Sequence, residues 1–316
     1  MIILHGIEKV PPEARGAAVA IGNFDGVHRG HQALLRATRD VATKSGVKAG
    51  VILFEPHPRE FFQPDKPHFR LTSLARKLEL LEQRGMDLAV VLRFDASLAG
   101  LPAEEFIERV LVEALAVSHV VVGYDFRFGK GRGGDPETLK HAGALHGFDG
   151  TVVPQLAEAG EVFSSSAIRA ELAQGDVAGA AEMLGHWWRV RGTVVRGANR
   201  GTDLGFPTAN LAMPPGTALA HGIYAVRVLL DGHAHPAAAY LGTRPTFDDG
   251  APMLEVFLLD YHGDLYGREI DVEFIAHVRG DRSFDNVEAL KAQMDADCAR
   301  ARAILEHAPQ HPVSTR

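Results

Sequence analysis

The chain has 316 residues, a formal net charge of −7, 46% hydrophobic and 23% charged residues. That is enough for two ordinary globular domains, and the acidic balance argues against a general nucleic-acid binder. The single cysteine, Cys298, excludes an intramolecular disulfide and a cysteine-based zinc site, which fits a reducing, cytoplasmic compartment.

The apolar start Met1–Leu4 is too short for a signal-peptide core, and no apolar run suffices to span a bilayer, so no membrane partner is expected. Short apolar runs predict strands at Val19–Ile21, Val51–Phe54, Leu88–Phe94, His119–Gly123 and Thr151–Val153. Helical patterns fall between them at His31–Ser45, Ser73–Gln83, Pro102–Leu115 and Pro136–His146. In the first helix Leu34, Leu35, Thr38, Val41 and Ala42 form one stripe, and Gly46 is the stop. Asp135 before Pro136 reads as an N-cap and first turn. Strands alternating with helices imply an α/β domain with a mostly parallel sheet covered on both faces.

The pattern changes near Leu184–Trp187, which predicts domains at residues 1–184 and 185–307 and a frayed tail at 308–316. Strands are expected at Trp188–Val195, Ile223–Leu230, Pro236–Leu241, Leu254–Asp260 and Glu269–Val278, followed by a helix over Val287–Glu306. In the last strand Ile270, Val272 and Phe274 alternate with Asp271 and Glu273, as a half-buried strand requires. Short strands with frequent Gly and Pro turns suggest a small antiparallel barrel.

Between the first strand and first helix lies Gly22-Asn23-Phe24-Asp25-Gly26-Val27-His28-Arg29-Gly30-His31. Ligands of open parallel sheets gather at the carboxyl ends of strands, where a helix N-terminus offers free N–H groups to phosphate. Gly22, Gly26 and Gly30 permit close approach of backbone to ligand, and His28 and His31 fall on one face of a helical turn. Two imidazoles there could stabilise charge at an α-phosphorus and on departing pyrophosphate.

This H-x-G-H turn resembles that of the nucleotidylyltransferase superfamily. Phe54-Glu55-Pro56-His57-Pro58, Val122-Gly123-Tyr124-Asp125-Phe126-Arg127-Phe128-Gly129 and Ser164-Ser165-Ser166-Ala167-Ile168-Arg169 narrow the likeness to the FMN adenylyltransferase module of bacterial bifunctional FAD synthetases. The resemblance implies that Gly22, Asn23, Phe24, His28, Gly30, His31, Ser165 and Arg169 bind ATP, with the two histidines catalytic. It implies that Phe62, Asp125, Phe126 and Phe128 surround FMN. Simpler roles stay open: His57 can fix a turn, Ser165 can cap a helix, and the phenylalanines can be core residues. Ser166 stands where the family usually has threonine, and Tyr124 where an acidic residue is frequent.

The second half carries Gly197-Ala198-Asn199-Arg200-Gly201-Thr202-Asp203-Leu204-Gly205-Phe206-Pro207-Thr208-Ala209-Asn210. Its glycines could let backbone amides wrap phosphate. Thr208 and Asn210 alternate, so in an extended segment both point to one face, and two neutral oxygen ligands suit Mg²⁺ beside nucleotide phosphates. With Gly222-Ile223-Tyr224, Gly242-Thr243-Arg244-Pro245-Thr246-Phe247 and Leu265-Tyr266-Gly267, this run resembles riboflavin kinase. That likeness implies a six-stranded antiparallel barrel with a C-terminal helix. It further implies ATP contacts at Gly197, Gly201, Gly205, Pro207, Thr208 and Asn210, metal ligation by Thr208 and Asn210, Glu255 as base, and Arg279 and Phe284 against riboflavin.

The two resemblances together imply conversion of riboflavin to FMN and of FMN to FAD, each with ATP. A kinase fused to a nucleotidylyltransferase with another acceptor, or a flavin-binding sensor on the same scaffold, are the rival readings. The motifs leave a homo-oligomer open.

Overall fold

The computed structural model describes residues 1–158, 161–196, 205–243 and 252–312. They fall into two compact units: Met1–His68 with Thr72–Ser164, and Phe69–Leu71 with the chain from Ser165 onward.

The first unit contains β1 (Ile2–His5), β2 (Ala18–Ile21), α1 (Arg29–Ser45), β3 (Ala49–Glu55), α2 (Pro58–Phe62), α3 (Leu74–Gln83), β4 (Leu88–Arg93), α4 (Ala96–Ala99), α5 (Ala103–Phe106), β5 (His119–Gly123), α6 (Pro136–His146) and β6 (Asp149–Val153). A short hairpin follows, β7 (Ala157–Glu158) with β8 (Glu161–Val162). The six-stranded sheet has the order β1-β4-β3-β2-β5-β6 and every pairing in it is parallel. Its central strand β2 is buried throughout: Val19 and Ile21 enter one core cluster, Ala18 and Ala20 the other. This is the signature of a sheet covered on both faces.

Local chemistry sets the helix ends. Gly46 closes α1 at φ 69°, where a left-handed residue is needed. Asp135 opens α6 with a reciprocal capping pair to Thr138. Thr38 is fully buried on the apolar stripe of α1 and returns its hydroxyl to the Leu34 carbonyl at 2.8 Å. The helix expected over 102–115 starts as α5 and widens into π-type turns over Ile107–Ala114, with the Leu115 N–H on the Val110 carbonyl. The wider turn lets Phe106, Ile107, Val110 and Leu111 all face the core. β1, absent from the sequence expectation, is a four-residue edge strand recruited by pairing Ile2 with Leu88.

The second unit contains α7 (Ser165–Gln174), α8 (Val177–Leu184), β9 (Arg189–Thr193), β10 (Ala209–Ala212), β11 (Gly222–Leu230), β12 (His233–Thr243), β13 (Pro252–Leu258), β14 (Glu269–Arg279) and α9 (Val287–His307). Its sheet is antiparallel, in the order β10-β13-β12-β11-β14-β9. The Val195 N–H meets the Asn210 carbonyl at 2.9 Å and joins the two edges, so the sheet is a nearly closed barrel. Leu254, Val256, Leu241, Tyr224 and Phe274 alternate along their strands as fully buried residues. On the opposite face Ala225 and Ala238 pack with Ala301 and Cys298 of α9. The terminal helix therefore roofs the outside of the barrel wall. Asn286 caps it, accepting from the Ala289 N–H at 2.8 Å.

α7 and α8 belong with this barrel. The Ala220 N–H bonds the Leu172 carbonyl at 3.1 Å, and Ala181 packs with Trp187 and Ile275. Val177 and Leu184 are also buried there. A fragment starting at Ser165 should therefore melt about 10 °C or more above one starting at Gly185, because each buried aliphatic residue lost is worth roughly 1.5–3 kcal/mol. Thermal unfolding followed by circular dichroism checks this; equal midpoints would mean that the two helices add nothing to the barrel.

Candidate functional site

In the first unit β2 pairs with β3 on one side and β5 on the other, so the strand order reverses between β2 and β5. The loops leaving these two strands carry the glycine turn and the run beginning Gly123-Tyr124-Asp125. A parallel sheet splits open for ligands at such a reversal.

The turn is pinned from beneath. Asp25 is buried and accepts from the Thr72 N–H at 3.2 Å and hydroxyl at 3.4 Å, while the Gly26 N–H donates to the same hydroxyl at 3.0 Å. Val27 is held at φ 42° and Phe24 at φ 49°. Positive φ at a β-branched residue is costly, and such strain persists where surrounding contacts over-determine the backbone. Here Gln32 holds the Val27 carbonyl at 2.8 Å and both Phe24 and Val27 are fully buried.

His28 is the N-cap of α1, its Nδ1 accepting from the His31 N–H at 3.3 Å. That bond makes Nδ1 an acceptor, so neutral His28 carries its proton on Nε2. The His31 ring stacks on His28 with centroids 3.6 Å apart and touches the Phe24 ring edge-on. Burial, then the neighbouring His28 and Lys77, hold His31 well below its ordinary pKa, and it stays neutral near pH 7. Its buried Nδ1 has no hydrogen-bond partner among the described residues. Gly30 is crowded: a Cβ would press on the His28 ring at 3.0 Å and the Phe163 carbonyl at 3.1 Å. The histidine pair, buried Lys77 and this crowded glycine form a compact donor surface at a helix N-terminus, suited to phosphate. Lys77 escaped the sequence reading because nothing local marks a lysine on α3 as facing α1.

The other expected residues of this half take varied positions. Gly22 and Asn23 are partly buried on the turn. Phe62 is 64% exposed and meets Phe61 and Phe94 edge-on. Asp125 is exposed, and Phe126 stacks on Phe128, which is buried against Phe106. His57 caps α2 by accepting from the Arg59 N–H at 3.2 Å. Ser165 and Arg169 lie in α7, in the second unit, where Arg169 Nε donates to the Phe69 carbonyl at 2.6 Å.

In the second unit a cavity of about 570 Å³ opens between the outer barrel wall and α9. Thr208, Glu255, Arg279 and Phe284, dispersed over the sequence, all line it. Strand pairing explains the convergence. Glu255 lies directly opposite Asn210 on β10 and Tyr240 on β12, so the three side chains share one face. Asn210 is buried, and its Nδ2 donates to the Thr208 carbonyl at 3.2 Å. Arg279 is held by Asp297 of α9 through Nε at 3.0 and 3.1 Å and Nη2 at 2.7 Å, and stands 5.8 Å from the Phe284 ring. Gly205, at φ 90°, and the exposed Pro207 precede Thr208; Gly197 and Gly201 lie outside the described residues, as do residues 244–247 of the Gly242 motif. Tyr240, Asp281 and Asp297 complete the wall and were not found from the sequence; Asp297 could have been suspected only once α9 was known to cover the barrel.

Among the described residues, no helix is long and apolar enough to cross a membrane. Residues 10–167 match the family model described as FAD synthetase, and residues 184–305 the one described as riboflavin kinase. The chain is 42% identical over 305 residues to the bifunctional riboflavin kinase/FMN adenylyltransferase of Pseudomonas fluorescens, covering 96% of this chain and 98% of that one. It is 43% identical over 300 residues to the protein of the same description from Escherichia coli (strain K12), covering 95% of each. A structure solved as a macrolide-efflux protein from Streptococcus pneumoniae superposes with a TM-score of 0.83 at 28% identity, over 96% of this chain and 99% of that one.

The His31 environment has a measurable consequence. The folded chain keeps His31 neutral, while the unfolded chain takes up a proton near its ordinary pKa of about 6.5, so acidification favours unfolding. Stability present above that pH should be lost as pH falls from about 7.5 to about 5.5, by up to about 1.4 kcal/mol per pH unit. His31→Gln should flatten this slope in urea titrations at the two pH values; an unchanged slope would show that His31 titrates normally.

Proposed function

The chain belongs to the bifunctional riboflavin kinase/FMN adenylyltransferase family, and from that premise we propose how its residues share the two reactions. The protein is an ATP-dependent transferase that phosphorylates riboflavin to FMN and then adenylylates FMN to FAD, releasing pyrophosphate. We assign the adenylyltransferase to residues 1–184 and the kinase to residues 185–307, in the cytoplasm, where a single unpaired cysteine is at home.

The observation that carries the kinase assignment is the convergence of Thr208, Glu255, Arg279 and Phe284 on one cavity. Its volume lies within the range of small-molecule sites, and its wall combines apolar surface with a few polar groups. Glu255 accepts the proton of the riboflavin 5′-hydroxyl as that oxygen attacks the γ-phosphorus of ATP; ADP leaves. Phe284 and Phe257 offer faces to the flavin rings, and Arg279, locked by Asp297, gives them a fixed cation at the mouth. Gly197, Gly201, Gly205 and Pro207 are assigned to ATP by the motif.

The donor set suits Mg²⁺. Thr208 and Asn210 bring neutral oxygens to adjacent positions, and donation from Asn210 Nδ2 to Thr208 marks the other end of that amide as the oxygen, the hard ligand this ion prefers. Bound there with nucleotide phosphates, the ion would offset charge on the transferring group.

For adenylylation, a phosphate oxygen of FMN attacks the α-phosphorus of ATP and pyrophosphate departs. We assign His28 and His31 to the charge that develops on these groups, with Nε2–H of His28 as a fixed donor. Gly30 leaves room for the His28 ring and the Phe163 carbonyl beside it, which holds the turn compact, and the motif assigns it to ATP. Ser165 and Arg169 on the ATP side, and Phe62, Asp125, Phe126 and Phe128 on the FMN side, are assigned by motif.

With riboflavin, ATP and Mg²⁺, His28→Ala or His31→Ala should let FMN accumulate and lower FAD formation on the order of 10²–10³-fold. Chromatographic separation of the two flavins reads this directly, and equal loss of both products would sink the assignment.

Glu255→Gln keeps the side-chain shape and removes the proton acceptor. FMN formation should fall by roughly 10²–10⁴-fold, riboflavin binding by calorimetry should persist, and FMN supplied directly should still become FAD. Near-normal FMN formation would leave Glu255 a strand residue with no part in the chemistry.

A further inference from the structure

Arg29 is the first residue of α1 and stands between His28 and Gly30 of the glycine turn. A cation there meets the positive end of the helix dipole, which favours anions instead. The guanidinium lies over the face of the Phe163 ring, 4.7 Å from the ring centre, and the negative face of the aromatic offsets that cost. Phe163 is 8% exposed, so the ring side of the contact is closed to water.

Phe163 reaches the turn in a second way. Its carbonyl lies against Gly30, 3.1 Å from where a Cβ would stand. One residue thus touches two consecutive residues of the turn, with its ring on Arg29 and its backbone on Gly30. Phe163 follows β8 directly, and its N–H closes the foot of the β7–β8 hairpin on the Leu156 carbonyl at 3.5 Å. The next residue, Ser164, opens the serine run that the motif assigns to ATP. A residue held at ring, carbonyl and N–H fixes the point from which that run begins.

Resting on the ATP reading of the histidine turn, we propose that Phe163 and Arg29 are positioning residues for adenylyl transfer. Ring and guanidinium latch the backbone at Phe163, and with it Ser164, onto the N-terminus of α1. Neither side chain touches the reacting atoms. Backbone ordered beforehand spares ATP the cost of ordering it, which raises affinity without altering the bond-making step.

Phe163→Leu keeps an apolar side chain and removes the aromatic face, Phe163→Tyr keeps that face, and Arg29→Gln removes the charge. FAD formation from supplied FMN is followed against ATP concentration on the intact chain, for each variant and for Phe163→Leu with Arg29→Gln. Phe163→Leu and Arg29→Gln should each raise KM for ATP by roughly two- to thirtyfold, the range a cation–aromatic contact spans between exposed and desolvated sites. Turnover number should stay within about threefold of the parent, as when an interaction is equal in the ground and transition states. The double variant should match the weaker-binding single, because both changes remove one contact. Phe163→Tyr should restore KM to near the parent value, and conversion of riboflavin to FMN should not change in any variant.

An unaltered KM in Phe163→Leu, additive losses in the double variant, a fall in turnover at constant KM, or a tyrosine variant as impaired as the leucine one would each overturn the proposal. If Phe163→Leu fails to fold by circular dichroism, Arg29→Gln alone decides, since it changes a half-buried group and leaves the ring in place. Failure of the ATP reading is seen separately: His28→Ala would then form FAD at the parent rate.

Discussion

Leu254 and Val256 must point into the dry interior of the barrel, and because side chains alternate along a strand, Glu255 between them must point out beneath α9. A slip of one residue in β13 would turn both aliphatic groups out and the carboxylate in, losing roughly 1.5–3 kcal/mol for each exposed side chain and burying a charge. The register is thus set by apolar burial. Its by-product is a row of polar side chains, Asn210, Glu255 and Tyr240, that crosses three strands on one face. One bridge, between Val195 and Asn210, ties together the two edges of the nearly closed barrel. Strand pairing by itself sets these three groups in line.

The first unit solves a different problem. Its inner strands β2, β3 and β4 are buried on both faces, which leaves them little room for outward polar side chains, and the polar groups gather where these strands end. At the β2–β5 reversal the chain must turn sharply into α1, and the turn is held in a conformation that Phe24 and Val27 would not choose alone. The Asp25–Thr72 and Gln32–Val27 bonds supply the restraint. What results is a histidine that caps its own helix and fixes its own tautomer, stacked on a second histidine kept neutral by burial.

Charge is handled in opposite ways in the two units. The cavity beneath α9 fixes its cation: Arg279 is paired with an Asp297 that is itself buried and also receives Gln293 at 2.9 Å. The pair is hydrogen-bonded throughout, the condition under which a buried ion pair is tolerated. The sequence-wide charge of −7 predicts nothing of this, because both sites depend on a handful of groups whose surroundings decide their state.

What could be read without coordinates was whatever neighbouring residues decide among themselves. The stop of α1 at Gly46 and the Asp135 cap of α6 are local, and the glycine turn with its histidine spacing is contiguous. The Thr208–Asn210 and Glu255 motifs are likewise short runs, and they carried the family resemblance that the comparisons then bore out. Pairing between distant segments decided the rest. β1 is four residues long and exists because Leu88 lies beside Ile2; β10 is as short and becomes a barrel strand by lying against β13. The π-type turns after α5 answer to the core they face. Lys77, Tyr240, Asp281 and Asp297 carry no local signature, for each is brought to its site by the packing of distant segments. Sequence determined which groups were present and how their own turns and caps would form. Only tertiary structure decided which of them meet, because apolar burial and strand register act between residues far apart in the chain.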